Sequence, residues 1–334
     1  MSPTLWAPVP ARDLPEGLIL FDGVCVFCSR WVRFVMERDE DRQFVFVPIQ
    51  SPYGRIIAAR LGIDPDQPQT NVVIRRGVAH FKSDAALQVL ACLPRWSWSP
   101  ALTLVPRRWR DAVYDRIAAN RYRLFGRTET CLVPGPATVD RFIFDQAPAP
   151  RDPGPSPFSV LLGPSFERLP EIIRHFHAPG AAIFSAGLAD VSTAPGILPA
   201  LICRIAGLPR PGRDVPVSVS FHPEPRFREY WARRFADRTY SSTMSLGSGS
   251  AAGTLVERFG PFRLRFDLLA GPKGLVWSLA GWRFLLIPLP HATLPQIACF
   301  ETDRDGRFGF DIAVAFPLVG PVIEYRGWLA PEPP

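Results

Sequence analysis

The chain has 334 residues, 47% of them hydrophobic and 21% charged, which excludes wholesale disorder and suggests two domains at roughly 100–200 residues each. Proline is the outlier at 38 residues, about 11% against a typical ~5%, and disfavours an all-helical bundle. The formal charge of +7 is spread evenly: 19 Lys+Arg and 15 Asp+Glu give net +4 over residues 1–150, and 19 and 16 give net +3 over 151–334, so no nucleic-acid-binding face is expected.

No stretch approaches ~18 uninterrupted apolar residues, and prolines at 3, 8, 10 and 15 interrupt any apolar leader. The expectations are no transmembrane helix, no secretory signal and a cytoplasmic location with reduced thiols. In chain order, the apolar run Leu18–Phe21 ends in Asp22-Gly23, the form of a buried strand that turns sharply. Cys28, Trp31, Val32, Val35 and Met36 then recur at helical spacing, with Arg30, Arg33, Glu37 and Arg38 opposite. Phe44–Val47 reads as a strand, Ile56–Leu61 as a helix stopped by Gly62, and Asn71–Ile74 as a third strand turning through Arg75-Arg76-Gly77 into Val78–Phe81. Ser83 or Asp84 is expected to cap a helix through Leu87, Val89, Leu90 and Cys92. This β-α-β-α-β-β-α order predicts an α/β thioredoxin-like domain over residues 16–145, with a helical extension at Trp109–Arg123.

Residues 146–157 hold five prolines in twelve and read as a stiff linker. Beyond it, residues 158–330 predict a mainly antiparallel β domain, barrel-like or a curved sheet, with helices at 158–176 and 196–207. Its strands are expected at Val215–Phe221, Thr239–Leu246, Gly253–Phe259, Arg263–Leu269, Leu275–Trp282, Gln296–Glu301, Phe308–Phe316 and Val322–Trp328. Gly247–Gly253 lacks a Lys-Ser/Thr pair and reads as a hairpin turn, not a phosphate loop.

Of six cysteines (25, 28, 92, 131, 203, 299), only Cys25 and Cys28 are closely spaced. They stand where a strand hands over to a helix. The unpaired N–H groups and partial positive charge there favour a thiolate on the first cysteine. One helical turn brings the second sulfur beside it, so a disulfide can close between them. Cys25 is expected to be the exposed nucleophile and Cys28 the resolving thiol. Asp22 either accepts the proton of Cys28 or only shapes the turn, while its charge opposes the thiolate. Two other readings stand beside redox work: a zinc site completed by Cys92, Cys131 or His80, and an inert buried pair. Cys131 is a third redox thiol or a small buried hydrophobe.

Leu20-Phe-Asp-Gly-Val-Cys-Val-Phe-Cys28 resembles the signature of the DCC family of predicted thiol-disulfide oxidoreductases, Asp-Gly-x-Cys-x-x-Cys, with Asp22, Cys25 and Cys28 on its named positions. The resemblance spans about residues 16–145 and extends to Phe81–Ala86, Tyr114–Gly126 and Cys131–Pro134. It implies a thioredoxin-like fold and protein-disulfide reductase activity. The expected partners are a protein or small-molecule disulfide and a separate electron donor, with no metal and no cofactor beyond a Cys25–Cys28 disulfide. One departure concerns the cis-proline that precedes the third strand in thioredoxin. Gln69 or Thr70 falls there, and Pro68 stands too early.

Residues 158–330 resemble a bacterial family of unknown function, number 4166, at Tyr230–Phe235, Val256–Pro261, Asp305–Asp311 and Tyr325–Leu329, which implies no activity. The candidate ligand residues are Trp231, Arg233, Arg234, Glu257, Arg258, His291 and Arg326. Glu257 with Arg258 or Arg326 would orient an acidic ligand in a barrel mouth; otherwise these are rim charges. His175 and His177 read as a solvated face. The rival function is a carrier whose barrel holds a lipid-like or acidic molecule, with the thiol domain as accessory. Peripheral membrane contact is a third reading, from Trp96, Trp98 and Trp109 beside Arg107, Arg108 and Arg110.

Overall fold

Strand and helix alternate through the first 81 residues in the order that the apolar runs predict, with one short strand added ahead of them. A computed structural model describes residues 6–128, 138–145, 154–178, 180, 182–284 and 287–332. The chain divides into two units, residues 1–150 and 151–334.

In the first unit, β1 (Val9–Pro10), β2 (Leu18–Phe21), β3 (Val45–Pro48), β4 (Val72–Arg75) and β5 (Val78–Phe81) form one sheet in the order β1-β5-β4-β2-β3. Only β2 and β3 are parallel. Every residue of β2 is buried because the sheet is covered on both faces. Leu18 and Leu20 pack with Ile57 and Ala58 of α2 (Pro52–Arg60). Ile19 and Phe21 pack with Val32 and Val35 of α1 (Val26–Arg38), and with Ala85 and Val89 of α3 (Lys82–Leu90). This is the thioredoxin-like arrangement.

Two helix starts differ from expectation. Helix α2 begins earlier, because Ser51 caps it by accepting from the Gly54 N–H at 3.0 Å and Pro52 takes the first turn. Ser83 and Asp84 do not cap α3; its N-cap is Phe81, and both residues bond Arg110 of the long α4 (Arg107–Phe125). Past α4, Arg141 enters the core and ion-pairs with Asp39, whose carboxylate also receives the Gln43 and Phe44 N–H groups at 3.0 Å. That buried pair fixes Phe142 beside Phe46.

The proline-rich stretch lies mostly outside the described residues. The predicted helix 158–176 is broken by Pro164 and Pro170 into α5 (Pro157–Leu162), a 3-10 turn and α6 (Glu171–His177). The remainder is a barrel built from β6 (Ile183–Thr193), β7 (Gly212–Glu224), β8 (Arg228–Phe235), β9 (Arg238–Leu246), β10 (Leu255–Phe259), β11 (Phe262–Gly271), β12 (Gly274–Phe284), β13 (Ile287–Pro288), β14 (Gln296–Arg304), β15 (Arg307–Phe316) and β16 (Gly320–Glu332). A helix, α7 (Ile197–Ile205), joins β6 to β7. All neighbours are antiparallel in the order β11-β10-β9-β8-β7-β6-β16-β15-β14-β12, and β11 pairs with β12 to close ten strands, leaving β13 on the side of β12. Gly247–Gly253 connects β9 to β10, as a hairpin reading requires.

The sequence reading lacks β6 and β8. In β6 the small residues Ser185, Ala186, Gly187 and Ala189 carry little strand propensity, and in β8 the charges at 228, 229, 233 and 234 obscure the alternation. The inward residues Phe221, Trp231, Trp277 and Phe308 pack on Phe158 of α5 and Phe176 of α6. That end of the barrel is a filled core.

Candidate thiol site

Strand β2 ends at Phe21, and Asp22 makes the turn into α1 by accepting the Val24 N–H at 3.3 Å. Cys25 is the N-cap of α1, its sulfur accepting the Cys28 N–H at 3.4 Å. Both cysteines are free thiols, and the donor atoms of Asp22, Cys25 and Cys28 lie within 4.8 Å of one another. The strand end and helix start thus converge the residues that the motif predicts.

The two thiols titrate apart. Cys25 is pulled down to about 7, first by the hydrogen bond from the Cys28 thiol and then by the Cys28 N–H and the Arg121 charge, against burial and Asp22. Cys28 is pushed far above the ordinary thiol range, first by donating that bond to Cys25, then by burial and the charges of Cys25 and Asp22. One thiolate shared against one thiol is the result.

Asp22 is 5% exposed and its carboxylate is saturated. One oxygen accepts from Val24 N and from Gln50 Nε2 at 2.9 Å; the other accepts from Arg121 Nη2 at 3.1 Å and from the Tyr122 hydroxyl at 2.5 Å. Four donors occupy its four lone-pair directions, so taking up a thiol proton would require displacing one. The turn-shaping role is therefore built into the site. Arg121 is anchored further by the carbonyls of Pro68 at 2.7 Å and Ala118 at 2.8 Å. Pro68 thus serves through its carbonyl, and no described peptide bond is cis.

Arg121, Tyr122 and Gln50 were not singled out from sequence. Arg121 and Tyr122 lie within Tyr114–Gly126, a stretch the resemblance includes, and that was the available signal. No spacing rule could join them to Asp22 across 99 and 100 residues. Cys25 is also not exposed as expected: its exposure is 0%, while Cys28 is half-buried. The cause is the segment after α4. Val26 N donates to Gly126 O, Thr128 N donates to Val24 O at 2.9 Å, and Arg127 stands opposite Cys25 in an antiparallel bridge. This strap covers the nucleophile. Beside it the rings of Phe27 and Phe125 meet at a tilt, with centroids 4.9 Å apart, both partly exposed.

Asp22, Cys25 and Cys28 are the one set of three metal-type donors among the described residues, so His80 and Cys92 do not complete a zinc site. Arg121 lies on the Asp22 carboxylate, where a cation would have to compete with it. Cys131 lies outside the described residues.

The candidate ligand residues of the barrel do not form one site. Neighbours on a strand point to opposite faces, so Glu257 faces inward and Arg258 outward. Glu257 pairs at 3.6 Å with Arg233, which also lies 4.7 Å over the Trp231 ring. Arg234 and Arg326 are exposed on the outer wall, Arg326 in a cleft with Asp190, Asp214 and Glu324. The side chain of His291 lies outside what is described. Trp231 faces inward and donates to Glu229 at 2.7 Å. His177 is fully buried, not solvated, with Nε2 2.7 Å from Glu301.

The comparisons agree with this division. Residues 169–329 match the family model of a domain of unknown function (DUF4166), and residues 19–127 match DCC1-like thiol-disulfide oxidoreductase. The chain is 35% identical over 134 residues to the uncharacterized protein YuxK of Bacillus subtilis, covering 40% of this chain and 98% of that protein. It is 34% identical over 116 residues to a chloroplastic DCC family protein of Arabidopsis thaliana, covering 34% of this chain and 67% of the relative. With a strand-end dithiol set as described and relatives matched along most of their length, the chain belongs, through its first unit, to the DCC1-like thiol-disulfide oxidoreductase family.

Proposed function

We propose that the protein is a protein-disulfide reductase working through Cys25 and Cys28 in a reducing compartment such as the cytoplasm. The observation that carries the reading is the placement of the two thiols within 4.8 Å of one another at the start of α1, with the Cys25 sulfur accepting the Cys28 N–H at 3.4 Å, which favours a thiolate on Cys25 and a retained proton on Cys28. The Cys25 thiolate attacks one sulfur of a substrate disulfide. The substrate S–S bond breaks, a mixed disulfide forms, and the first substrate sulfur leaves as a thiolate. Cys25 is then no longer an anion, so the main cause that raised Cys28 disappears. The Cys28 proton passes to the departed thiolate, and Cys28 attacks the Cys25 sulfur. The second substrate sulfur is released, the substrate has gained two electrons, and a Cys25–Cys28 disulfide remains. A separate dithiol donor returns it to the reduced form.

In this scheme Asp22 is a positioning residue that holds Arg121 and Tyr122 beside the thiols. The strap at Gly126–Thr128 must open for Cys25 to meet a substrate. The test is insulin reduction with dithiothreitol as donor. Cys25→Ser should abolish catalysis, and Cys28→Ser should trap a mixed disulfide visible by mass spectrometry. Equal rates for wild type and both variants would refute the reading.

A further inference from the structure

Helix α4 presents an apolar stripe that nothing described here covers. Trp109, Val113 and Ile117 follow at four-residue spacing with Leu124 seven further on, so they share one side of the helix. Trp109, Val113 and Leu124 are 62%, 63% and 63% exposed, too open to be core. The turn just before the helix adds Trp98, Leu102, Leu104 and Val105, all exposed. At 19 residues the helix is about 28 Å long, enough for an extended contact.

The charge beside the stripe is one-signed. Arg108, Arg116 and Arg123 are exposed and form no ion pair among the described residues. The acids of the helix are occupied: Asp111 accepts from Ser83 and Arg107, and Asp115 pairs with Lys82. Trp96 is half-buried and packs against the core, and Arg107 and Arg110 are tied to Asp84, so the interfacial set differs from the one expected from sequence. A second copy docked face to face would bring the same three arginines against one another. An anionic lipid surface meets both features at once, taking the apolar side chains at the acyl boundary and the guanidinium groups at the headgroups.

We infer that α4 and the turn before it dock this protein peripherally on an anionic membrane. Toward its C-terminal end α4 carries Arg121, the next residue on the Trp109-Val113-Ile117 row but buried on Asp22, with Tyr122 on the same carboxylate, and the Phe125 ring lies 4.9 Å from that of Phe27, between the two cysteines in sequence. Docking therefore sets the thiol pair at the bilayer surface, although the inference does not depend on the redox reading.

The test is co-sedimentation of the full chain with phosphatidylcholine vesicles, with or without about one third phosphatidylglycerol. Wild type should bind the anionic vesicles, release in high salt, and ignore the neutral ones. Arg108→Gln/Arg116→Gln/Arg123→Gln should weaken partitioning about a hundred-fold. Trp109→Ser/Val113→Ser/Ile117→Ser should abolish it, with circular dichroism confirming that both variants are folded. Three results each overturn the inference: no wild-type binding, equal binding to neutral vesicles, or an arginine variant that binds like wild type. A dimer in ultracentrifugation that the serine variant dissolves, without vesicle binding, would assign the face to a second copy instead.

Discussion

At the residue scale, the chemistry of the site rests on charge placed within a few ångströms of two sulfurs. Arg121 favours the Cys25 thiolate and Asp22 opposes it. Arg121→Met is therefore expected to raise the Cys25 midpoint above about 7. Asp22→Asn, which keeps an acceptor oxygen for Arg121, is expected to lower it. The measurement is the alkylation rate against pH, which follows the thiolate fraction. A midpoint unmoved in Arg121→Met would remove the guanidinium from the account. Asp22, Cys25 and Cys28 were legible in the sequence because they are within six residues of one another at a strand-to-helix handover. Arg121 and Tyr122 were not, since only the packing of α4 against the turn brings them there. The pairing of Glu257 with Arg258 was excluded by strand geometry alone, because adjacent residues cannot share a barrel face.

At the element scale, one contact holds the start of α1 beside the thiols and another holds its far end. The strap from Gly126 to Thr128 is held by the Thr128 N–H and hydroxyl, both donating to Val24 O, and by the Val26 N–H of α1 donating to Gly126 O. Thr128→Pro removes both the N–H and the hydroxyl donor to Val24 O, which share that one acceptor and together are worth about 0.5–1.5 kcal/mol. Cys25 alkylation should then accelerate by up to about tenfold. An unchanged rate would mean that the strap does not limit access. The second contact is Arg141 with Asp39, buried at 5% and 0% side-chain exposure. Arg141→Leu leaves that carboxylate without its cation and should cost about 3–5 kcal/mol, read as a lower urea midpoint for the first unit. Helix α1 was readable from its stripe. Strand β8 was not, because its inward Glu229 and Arg233 break the apolar alternation and find partners only inside the closed barrel.

At the scale of the whole molecule, two units with separate cores carry separate pH responses. Burial raises Glu229 to about 6, against the attraction of His177 and the Trp231 hydrogen bond. The folded barrel thus holds this proton more tightly than the unfolded chain does. Its contribution is complete below about 4.5 and is lost as pH rises through about 6. The loss should reach about 2 kcal/mol, and Glu229→Gln should flatten the fall in barrel stability between pH 5 and 7. A variant with the wild-type pH profile would exclude Glu229 as its source. None of the helices is long and apolar enough to cross a membrane among the described residues.

The sequence by itself determined the alternating α/β order of the first unit, the dithiol at the end of β2 and the β-rich character of the second. These follow from local periodicity and from residues a turn apart, which a chain carries wherever it folds. Only the tertiary structure decided that Asp22 is saturated by α4, that Cys25 lies under a strap, that ten strands close into a barrel and that His177 is buried against Glu301. Each of those joins residues distant in sequence, and burial then sets the energy of every charge and hydrogen bond that meets there.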